Sequence, residues 1–216
     1  MQADAQVVRV GQQRIFVSSA GQGEPLLLLH GFPQTHRIWR QLAEQLSDRF
    51  RLIMPDLPGY GESEGPAPGA DSAAYAKRSL AATLREMMAQ LGHSDFHLAG
   101  HDRGARIAYR MALDTPACVR RLALLDIVPT LEVWEAMNAR SALSAHHWLF
   151  LASPTPVPEN LISADPDTYI GHLLDQWVAK DGALDPASRQ AYIDQYRQAS
   201  VVQASCADYR AGATHD

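Results

Sequence analysis

The chain contains one pentapeptide whose residue types and spacing could do covalent chemistry, Gly100-His101-Asp102-Arg103-Gly104. Glycines on both sides of a central nucleophile are typical of a tight turn between a strand and a helix, which presents the central side chain above the sheet. Esterases with this turn carry serine at its centre, whereas this chain carries aspartate. A carboxylate is already anionic at neutral pH and needs no base before it attacks. We therefore predict that Asp102 displaces a leaving group from a saturated carbon and becomes an ester.

Two arginines beside this aspartate indicate the charge of the substrate. Arg103 and Arg106 are three residues apart on one predicted helix, so their side chains lie on neighbouring faces near its N-terminus. A helix N-terminus favours anions, and paired guanidinium groups bind a carboxylate through several N–H groups. We expect the two side chains to hold a substrate carboxylate. The alternatives are a solvated pair on the helix surface and a salt bridge to Asp102.

The elements that must position these residues alternate between strand and helix. Six apolar or alternating runs predict strands, at 7–10, 14–19, 25–30, 51–56, 96–100 and 121–127. Three segments with helical periodicity predict helices, at 36–50, 74–92 and 103–114. The alternation predicts an α/β fold with a mostly parallel sheet covered by helices on both faces. The continuously apolar run at 121–127 is typical of a buried strand.

The pattern changes near residue 130, where the strand signals stop. Helical segments follow, rich in aromatic residues and interrupted by PTPVP, ADPD and KDGALDP. A helical insertion after a strand of an α/β core is typical of a lid over an active site. We predict a core over 1–129, a helical cap over 130–205 and a segment over 206–216 that returns toward the core.

The composition argues against several classes of protein. The chain has 216 residues, of which 46% are hydrophobic and 20% charged, with a net charge of −5, as in ordinary soluble globular proteins. Mild acidity without a basic run argues against nucleic-acid or anionic-membrane partners, and no apolar stretch is long enough to span a bilayer. The first residues lack an export signal, and Cys118 and Cys206 are expected to be reduced thiols. We therefore expect a cytoplasmic protein, and no ligand motif predicts a metal.

Six motifs together resemble the α/β-hydrolase superfamily and, within it, the haloacetate (fluoroacetate) dehalogenases. They extend over essentially the whole chain and are HGFPQTHRIW, DLPGYGES, FHLAGHDRGARIAYRMALDTP, LALLDIVPT, HHWLFLASP and CADYRAG. The resemblance implies an α/β-hydrolase fold with a helical cap, and hydrolysis of a haloacetate to glycolate and halide through an aspartyl ester. It further implies a small haloacid as the partner molecule, no cofactor, and a homodimer.

The same resemblance assigns further residues to roles. The backbone N–H groups of Phe32 and Arg103 would hold the oxyanion that forms when water attacks the ester. Asp126, at the end of a predicted strand, would orient the histidine that activates this water. Three side chains that can donate hydrogen bonds match the positions of the halide pocket, namely His147, Trp148 and Tyr209. The alternatives are a plain loop aromatic at Phe32, a capping role for Asp126, and ordinary packing for the other rings.

The chain departs from the family in its length. The family's fold continues into two more strands, and the loop after the last strand carries the catalytic histidine, whereas this chain ends at Asp216. We expect either a fragment or a truncated product, which has an exposed sheet edge and stalls at the ester.

Two other functions stay open. An epoxide hydrolase would use the same aspartate and would need tyrosines of the cap to protonate the epoxide, with Tyr169, Tyr192 and Tyr196 as candidates. Related haloalkane dehalogenases and epoxide hydrolases usually carry tryptophan where this chain has Arg103, which favours a small charged substrate. The third alternative is a ligand-binding relative without catalytic activity.

Overall fold

A six-stranded sheet forms the centre of the computed structural model, which describes residues 4–67, 69–180 and 182–216. In chain order the strands are β1 (Asp4–Val10), β2 (Gln13–Ala20), β3 (Glu24–Leu29), β4 (Phe50–Pro55), β5 (Phe96–His101) and β6 (Val119–Leu125). They lie side by side in the order β1-β2-β4-β3-β5-β6. The pairs β1–β2 and β2–β4 are antiparallel, and the pairs β3–β4, β3–β5 and β5–β6 are parallel. The predicted mostly parallel α/β sheet is confirmed.

The apolar run of β3 is continuous because both faces of the sheet are covered there. Leu26 and Leu28 pack with Trp39 on one face, while Leu27 and Leu29 join the larger apolar cluster on the other. Three helices flank the sheet, namely α1 (Arg40–Leu46), α2 (Lys77–Gln90) and α3 (Arg103–Asp114). Alternate side chains of one strand therefore belong to opposite halves of the core, as the pleat requires.

The helix α2 is shorter than the predicted helix at 74–92. The first residues of that segment form a separate 3-10 helix, Ala73–Tyr75, and Ala76 then takes an extended backbone conformation with φ −55° and ψ 142°. No helix continues through that conformation, so α2 begins only at Lys77. At the other end Gly92 has φ +87°, which is typical of the residue that stops a helix.

The strand β6 is exposed, although its apolar sequence predicts a buried strand. Within the part of the chain that the structure describes, β6 pairs only with β5, and Leu122 and Leu124 are 39% and 43% exposed. The prediction of burial is wrong because an apolar strand is buried only where neighbours cover its faces and its second edge. The expected exposed edge is observed, and it presents unpaired backbone N–H and C=O groups.

All the described secondary-structure elements after β6 are helices. These elements are α4 (Thr130–Glu135), α5 (Ala139–Ser144), α6 (His146–Ala152), α7 (Val157–Ala164), α8 (Pro166–Trp177), α9 (Pro186–Gln195) and α10 (Ala199–Thr214). The last helix, α10, packs against α6 and α7, and α8 packs against α9. The predicted boundary at 205–206 falls inside α10. None of the described helices has both the length and the apolar character that crossing a membrane requires.

The turn between β5 and α3 is too tight for any side chain at its outer positions. A Cβ atom on Gly104 would lie 2.3 Å from the carbonyl oxygen of His30 and 2.4 Å from that of Leu29. A Cβ atom on Gly100 would lie 2.6 Å from the backbone nitrogen of Ala105. The neighbours in both cases are backbone atoms of packed elements, which cannot move aside without disturbing the sheet.

We expect Gly104→Ala to lower the free energy of unfolding by about 2 kcal/mol or more, because overpacking against fixed backbone is strongly destabilising. Denaturant unfolding followed by circular dichroism measures this change. Gly69→Ala is the matched control, since its Cβ would meet nothing closer than the Asp71 Oδ1 at 3.7 Å. Equal stability of the two variants would contradict the steric argument.

Candidate active site

Asp102 is fixed from its backbone and from its side chain. It lies between β5 and α3 with φ 47° and ψ −117°, a strained conformation for a residue with a Cβ atom. Its backbone N–H donates to the carbonyl of Leu125 at 3.2 Å, and its carbonyl accepts from Arg106 at 3.1 Å. Its side-chain Oδ2 accepts a hydrogen bond from the backbone N–H of Phe32 at 2.9 Å. One carboxylate oxygen of the predicted nucleophile is therefore already held by a predicted oxyanion donor.

The loop that carries Phe32 is itself held by His30, which is fully buried. Its Nε2 accepts from the backbone N–H of Leu57 at 2.9 Å, so its Nδ1 carries the proton and donates to the carbonyl of Gly31 at 2.9 Å. Burial lowers the pKa of His30 to about 4, because the charged form would lose its hydration. Both ring nitrogens are occupied, so His30 is structural and cannot act as a base.

A side chain of helix α9 holds the same loop. Gln195, at the end of α9, donates from Nε2 to the carbonyl of Pro33 at 2.7 Å. Its Oε1 accepts from the backbone N–H of Gly61 at 2.7 Å. The buried amide therefore joins α9 to two loops, one of which carries Phe32. Nothing in the local sequence of α9 distinguishes this glutamine from an exposed one.

Arg103 is buried and forms its salt bridge with Asp208, whereas the alternative considered from the sequence was a salt bridge with Asp102. Its Nε donates to Asp208 Oδ2 at 2.8 Å, and its Nη2 donates to Asp208 Oδ1 at 3.0 Å and to the Asp208 carbonyl at 2.7 Å. Its Nη1 makes no hydrogen bond to any described residue. Burial opposes the charge of Arg103, but attraction to Asp208 outweighs it and raises the pKa of the guanidinium.

Arg106 is held by neutral oxygens. Its Nη1 donates to the carbonyl of Val128 at 2.9 Å and to the Thr130 hydroxyl at 3.0 Å. Its guanidinium lies over the ring of Trp148 at 4.6 Å, while its buried Nε has no partner among the described residues. Burial and the repulsion of Arg103 lower the pKa of Arg106, and the charge of Asp102 works in the opposite direction.

The rings predicted to form a halide pocket are in contact with one another. The ring centroid of Tyr209 lies 5.9 Å from that of His147 and 6.1 Å from that of Trp148, and the ring of Phe32 is 5.3 Å from Tyr209. Burial lowers the pKa of His147 to about 4 and raises that of Tyr209 well above its ordinary value. At neutral pH the imidazole is therefore uncharged and the phenol keeps its proton. The role of the three rings as halide donors stays a prediction.

A cavity of about 460 Å³ opens beside Asp102. Four of the predicted site residues line it, namely Phe32, Asp102, Asp126 and His147, together with Trp177 of α8 and Tyr192 of α9. The remaining predicted residues, Arg103, Arg106, Trp148 and Tyr209, lie outside this lining. Asp126 follows β6 with φ 54° and is exposed, and its side chain makes no hydrogen bond to a described residue. Among the residues that the structure describes, no three acidic, histidine or cysteine side chains cluster as metal ligands would.

Three residues that hold this site are absent from the sequence-based predictions. They are Asp208, which binds Arg103, Thr130, which binds Arg106, and Gln195, which fixes the Phe32 loop. One signal was available for Asp208, because it is a single acidic residue among the small and apolar side chains of its helix. A carboxylate in such a surrounding is rarely buried unless it is paired.

We expect Gln195→Ala to lower the free energy of unfolding by about 2 kcal/mol or more, because it leaves the half-buried N–H of Gly61 and the buried carbonyl of Pro33 without this partner. Gln190→Ala is the matched control, since Gln190 lies on the same helix and is exposed. Chemical denaturation of both variants measures the difference. Equal losses of unfolding free energy in the two variants would contradict the role of Gln195 in joining the two loops.

The low pKa of His147 predicts a stability that falls with acid. Between its folded value of about 4 and its ordinary value of 6.5, the unfolded chain binds the proton and the folded chain does not. This contribution is complete above the ordinary value and is lost as the pH falls. Between roughly pH 7.5 and 5, the free energy of unfolding of the wild type should fall by about 2 kcal/mol more than that of His147→Gln. Parallel curves of unfolding free energy against pH for the two proteins would contradict this assignment.

Comparison with known proteins identifies the family of this chain. A family model described as the alpha/beta hydrolase fold matches residues 24–178. The chain is 43% identical over 215 residues to fluoroacetate dehalogenase from Burkholderia sp, an alignment that covers 99% of this chain and 70% of that protein. It is 36% identical over 162 residues to soluble epoxide hydrolase from Corynebacterium sp. (strain C12), covering 74% of this chain and 55% of that protein.

Among solved structures, a Nostoc sp PCC 7120 protein assigned to the alpha/beta hydrolases superposes with a TM-score of 0.95 at 42% identity. The match covers 98% of this chain and 72% of that one. The chain thus spans 70% of the length of the similar dehalogenase and about half that of the epoxide hydrolase. Because the family model covers more than half of the sequence, this chain belongs to the α/β-hydrolase family.

Proposed function

We propose that the protein hydrolyses short 2-haloacids, converting a haloacetate to glycolate and halide through an ester on Asp102. One observation carries the proposal. Next to the candidate nucleophile, Arg103 and Arg106 are buried, and each keeps one buried nitrogen, Nη1 and Nε respectively, without an acceptor among the described residues. Buried charged donors are normally satisfied, and a carboxylate ligand has the anionic oxygens that would satisfy these two.

In the first step Asp102 attacks the carbon that carries the halogen. Oδ2 is engaged by the Phe32 N–H, whereas Oδ1 accepts no hydrogen bond from the described residues, which favours Oδ1 as the attacking atom. The new C–O bond forms as the carbon–halogen bond breaks, and the halide leaves with the electron pair. Neutral His147, the Trp148 indole and the Tyr209 phenol would donate hydrogen bonds to the halide in place of water.

In the second step water attacks the carboxyl carbon of the Asp102 ester. The carbonyl oxygen is then Oδ2, which the Phe32 N–H already holds at 2.9 Å. Arg103 is the first residue of α3, so its backbone N–H precedes the first hydrogen bond of the helix and is free to assist. Collapse of the intermediate breaks the Cγ–Oδ1 bond, so Oδ1 leaves as the hydroxyl oxygen of glycolate with a proton from the water, and the water oxygen takes its place in the restored Asp102 carboxylate.

The base for this water is expected to be a histidine oriented by Asp126. None of the histidines that the structure describes is hydrogen-bonded to Asp126, and both nitrogens of His30 are occupied. The described residues therefore support ester formation.

Halide release from fluoroacetate and chloroacetate by the full-length protein tests the proposal. We expect both halides to be released and Asp102→Asn to abolish release, because an amide is neither anionic nor a good nucleophile. Chloride release alone would keep the nucleophile and argue against a pocket that can solvate fluoride. Undiminished release by the folded Asp102→Asn variant would refute the assignment.

Epoxide hydrolysis is the second candidate function, and one observation favours it. Tyr192 lines the cavity beside Asp102, where a phenol could protonate an epoxide oxygen. The other two candidate tyrosines are less suitable, because the Tyr196 hydroxyl is bonded to Ser205 at 3.0 Å and Tyr169 lines a separate surface groove. Turnover of styrene oxide without release of halide from either haloacetate would decide for this function.

A further inference from the structure

Asp208 is the centre of a buried hydrogen-bond cluster that ends at the candidate active site. Its carboxylate is 1% exposed and accepts from the Arg103 Nε and Nη2, from the Tyr60 hydroxyl at 2.9 Å, and from the Lys77 ammonium group. Two of the three guanidinium nitrogens of Arg103 are therefore bonded to one residue. The remaining nitrogen, Nη1, is the atom left without an acceptor in the described structure.

The guanidinium of Arg103 is also confined by α10, the helix that carries Asp208. The ring of Tyr209 lies against it, with its centroid 4.2 Å from the Arg103 Cζ. A Cβ atom on Gly212 would lie 3.0 Å from Nη2 and 3.4 Å from Nη1. Asp208 and Gly212 are four residues apart on one face of the helix and Tyr209 is adjacent to Asp208, so a single helix fixes the plane in which Arg103 lies.

The charges within this cluster cancel. Lys77 is 3.3 Å from the Asp216 carboxylate and also bonded to Asp208, so two buried cations, Arg103 and Lys77, face two carboxylates. Arg106 differs, because its described partners are neutral oxygens and it forms no salt bridge with a described residue. The uncompensated positive charge beside Asp102 is therefore on Arg106, whereas Arg103 offers a directed N–H group.

We propose that Asp208 is a positioning residue for substrate recognition. It holds Arg103 so that Nη1 orients the substrate carboxylate for attack by Asp102, while Arg106 supplies the charge that attracts the anion. The inference rests on the proposed function, in which these two arginines bind the substrate carboxylate.

Steady-state kinetics of the full-length protein with chloroacetate test this division of roles. Asp208→Asn should lower kcat about tenfold or more without raising KM, because Arg103 loses its alignment while the site gains one positive charge. Arg106→Gln should instead raise KM about tenfold or more, because the attraction for the anion is lost. Rates are expressed per folded protein, measured by circular dichroism, so that a purely structural role for Asp208 would change neither constant.

Two further variants keep the test decisive. Asp175→Asn is the control, since it removes an exposed carboxylate that is bonded to Arg189 of α9, and it should leave kcat and KM unchanged. Gly212→Ala displaces Arg103 without altering charge, and it should lower kcat even if Asp208→Asn fails to fold.

The outcomes separate this inference from the proposed function. Unchanged kcat in folded Asp208→Asn or in Gly212→Ala would overturn the positioning role. A rise of KM in Asp208→Asn as large as in Arg106→Gln would overturn the assignment of charge. Absence of halide release by the wild-type protein would instead reject the proposed function itself.

Discussion

The site depends on a turn in which backbone passes backbone too closely for any side chain. Gly104 lies against the carbonyl oxygens of His30 and Leu29, and a Cβ atom on Gly31 would lie 2.6 Å from the Cβ of Asp102. Within this turn the Asp102 backbone takes φ 47°, and its carboxylate stands at the carboxyl end of the sheet. The strain is tolerated because the packed strands β3 and β5 determine both ends of the turn.

The charged state of the buried groups near this turn depends on their burial as well as on their distance from one another. Asp208 is deeply buried, which opposes its charge, yet Arg103 and Lys77 hold the pKa of its carboxyl far below the ordinary value. A buried ion cluster of this kind contributes little to stability by itself, because desolvation offsets the attraction. The cluster instead fixes the orientation of the Arg103 side chain, since every donor group of the cluster except Nη1 of Arg103 has an acceptor among the described residues.

The segments before and after β6 contribute different parts of the candidate site. The earlier segment supplies Asp102, the Phe32 N–H and both arginines, while α6 supplies the rings of His147 and Trp148. Gln195 of α9 is bonded to the loop that carries Phe32. The distances between Asp102 and these rings therefore depend on how the later helices pack against the segment before β6.

Much of this arrangement could be predicted from the sequence because it is local. The elbow, the alternating strands and helices, and the arginines three residues apart are patterns within short segments. The partner of Arg103 could not be predicted, since Asp208 is 105 residues away and only the fold brings the two together. The exposure of β6 was mispredicted for a similar reason, because apolar sequence indicates burial only when neighbouring elements are present.

The placement of three contacts on α10 limits how such a site can evolve. Asp208, Tyr209 and Gly212 all touch Arg103 from one helix, so inserting or deleting a single residue there would rotate every contact away together. New substrate ranges are accordingly easier to reach by changing the outer wall of the cavity, where Val178, Ala183 and Leu184 lie between helices. Those positions can vary singly, whereas the inner helix can change only as a unit.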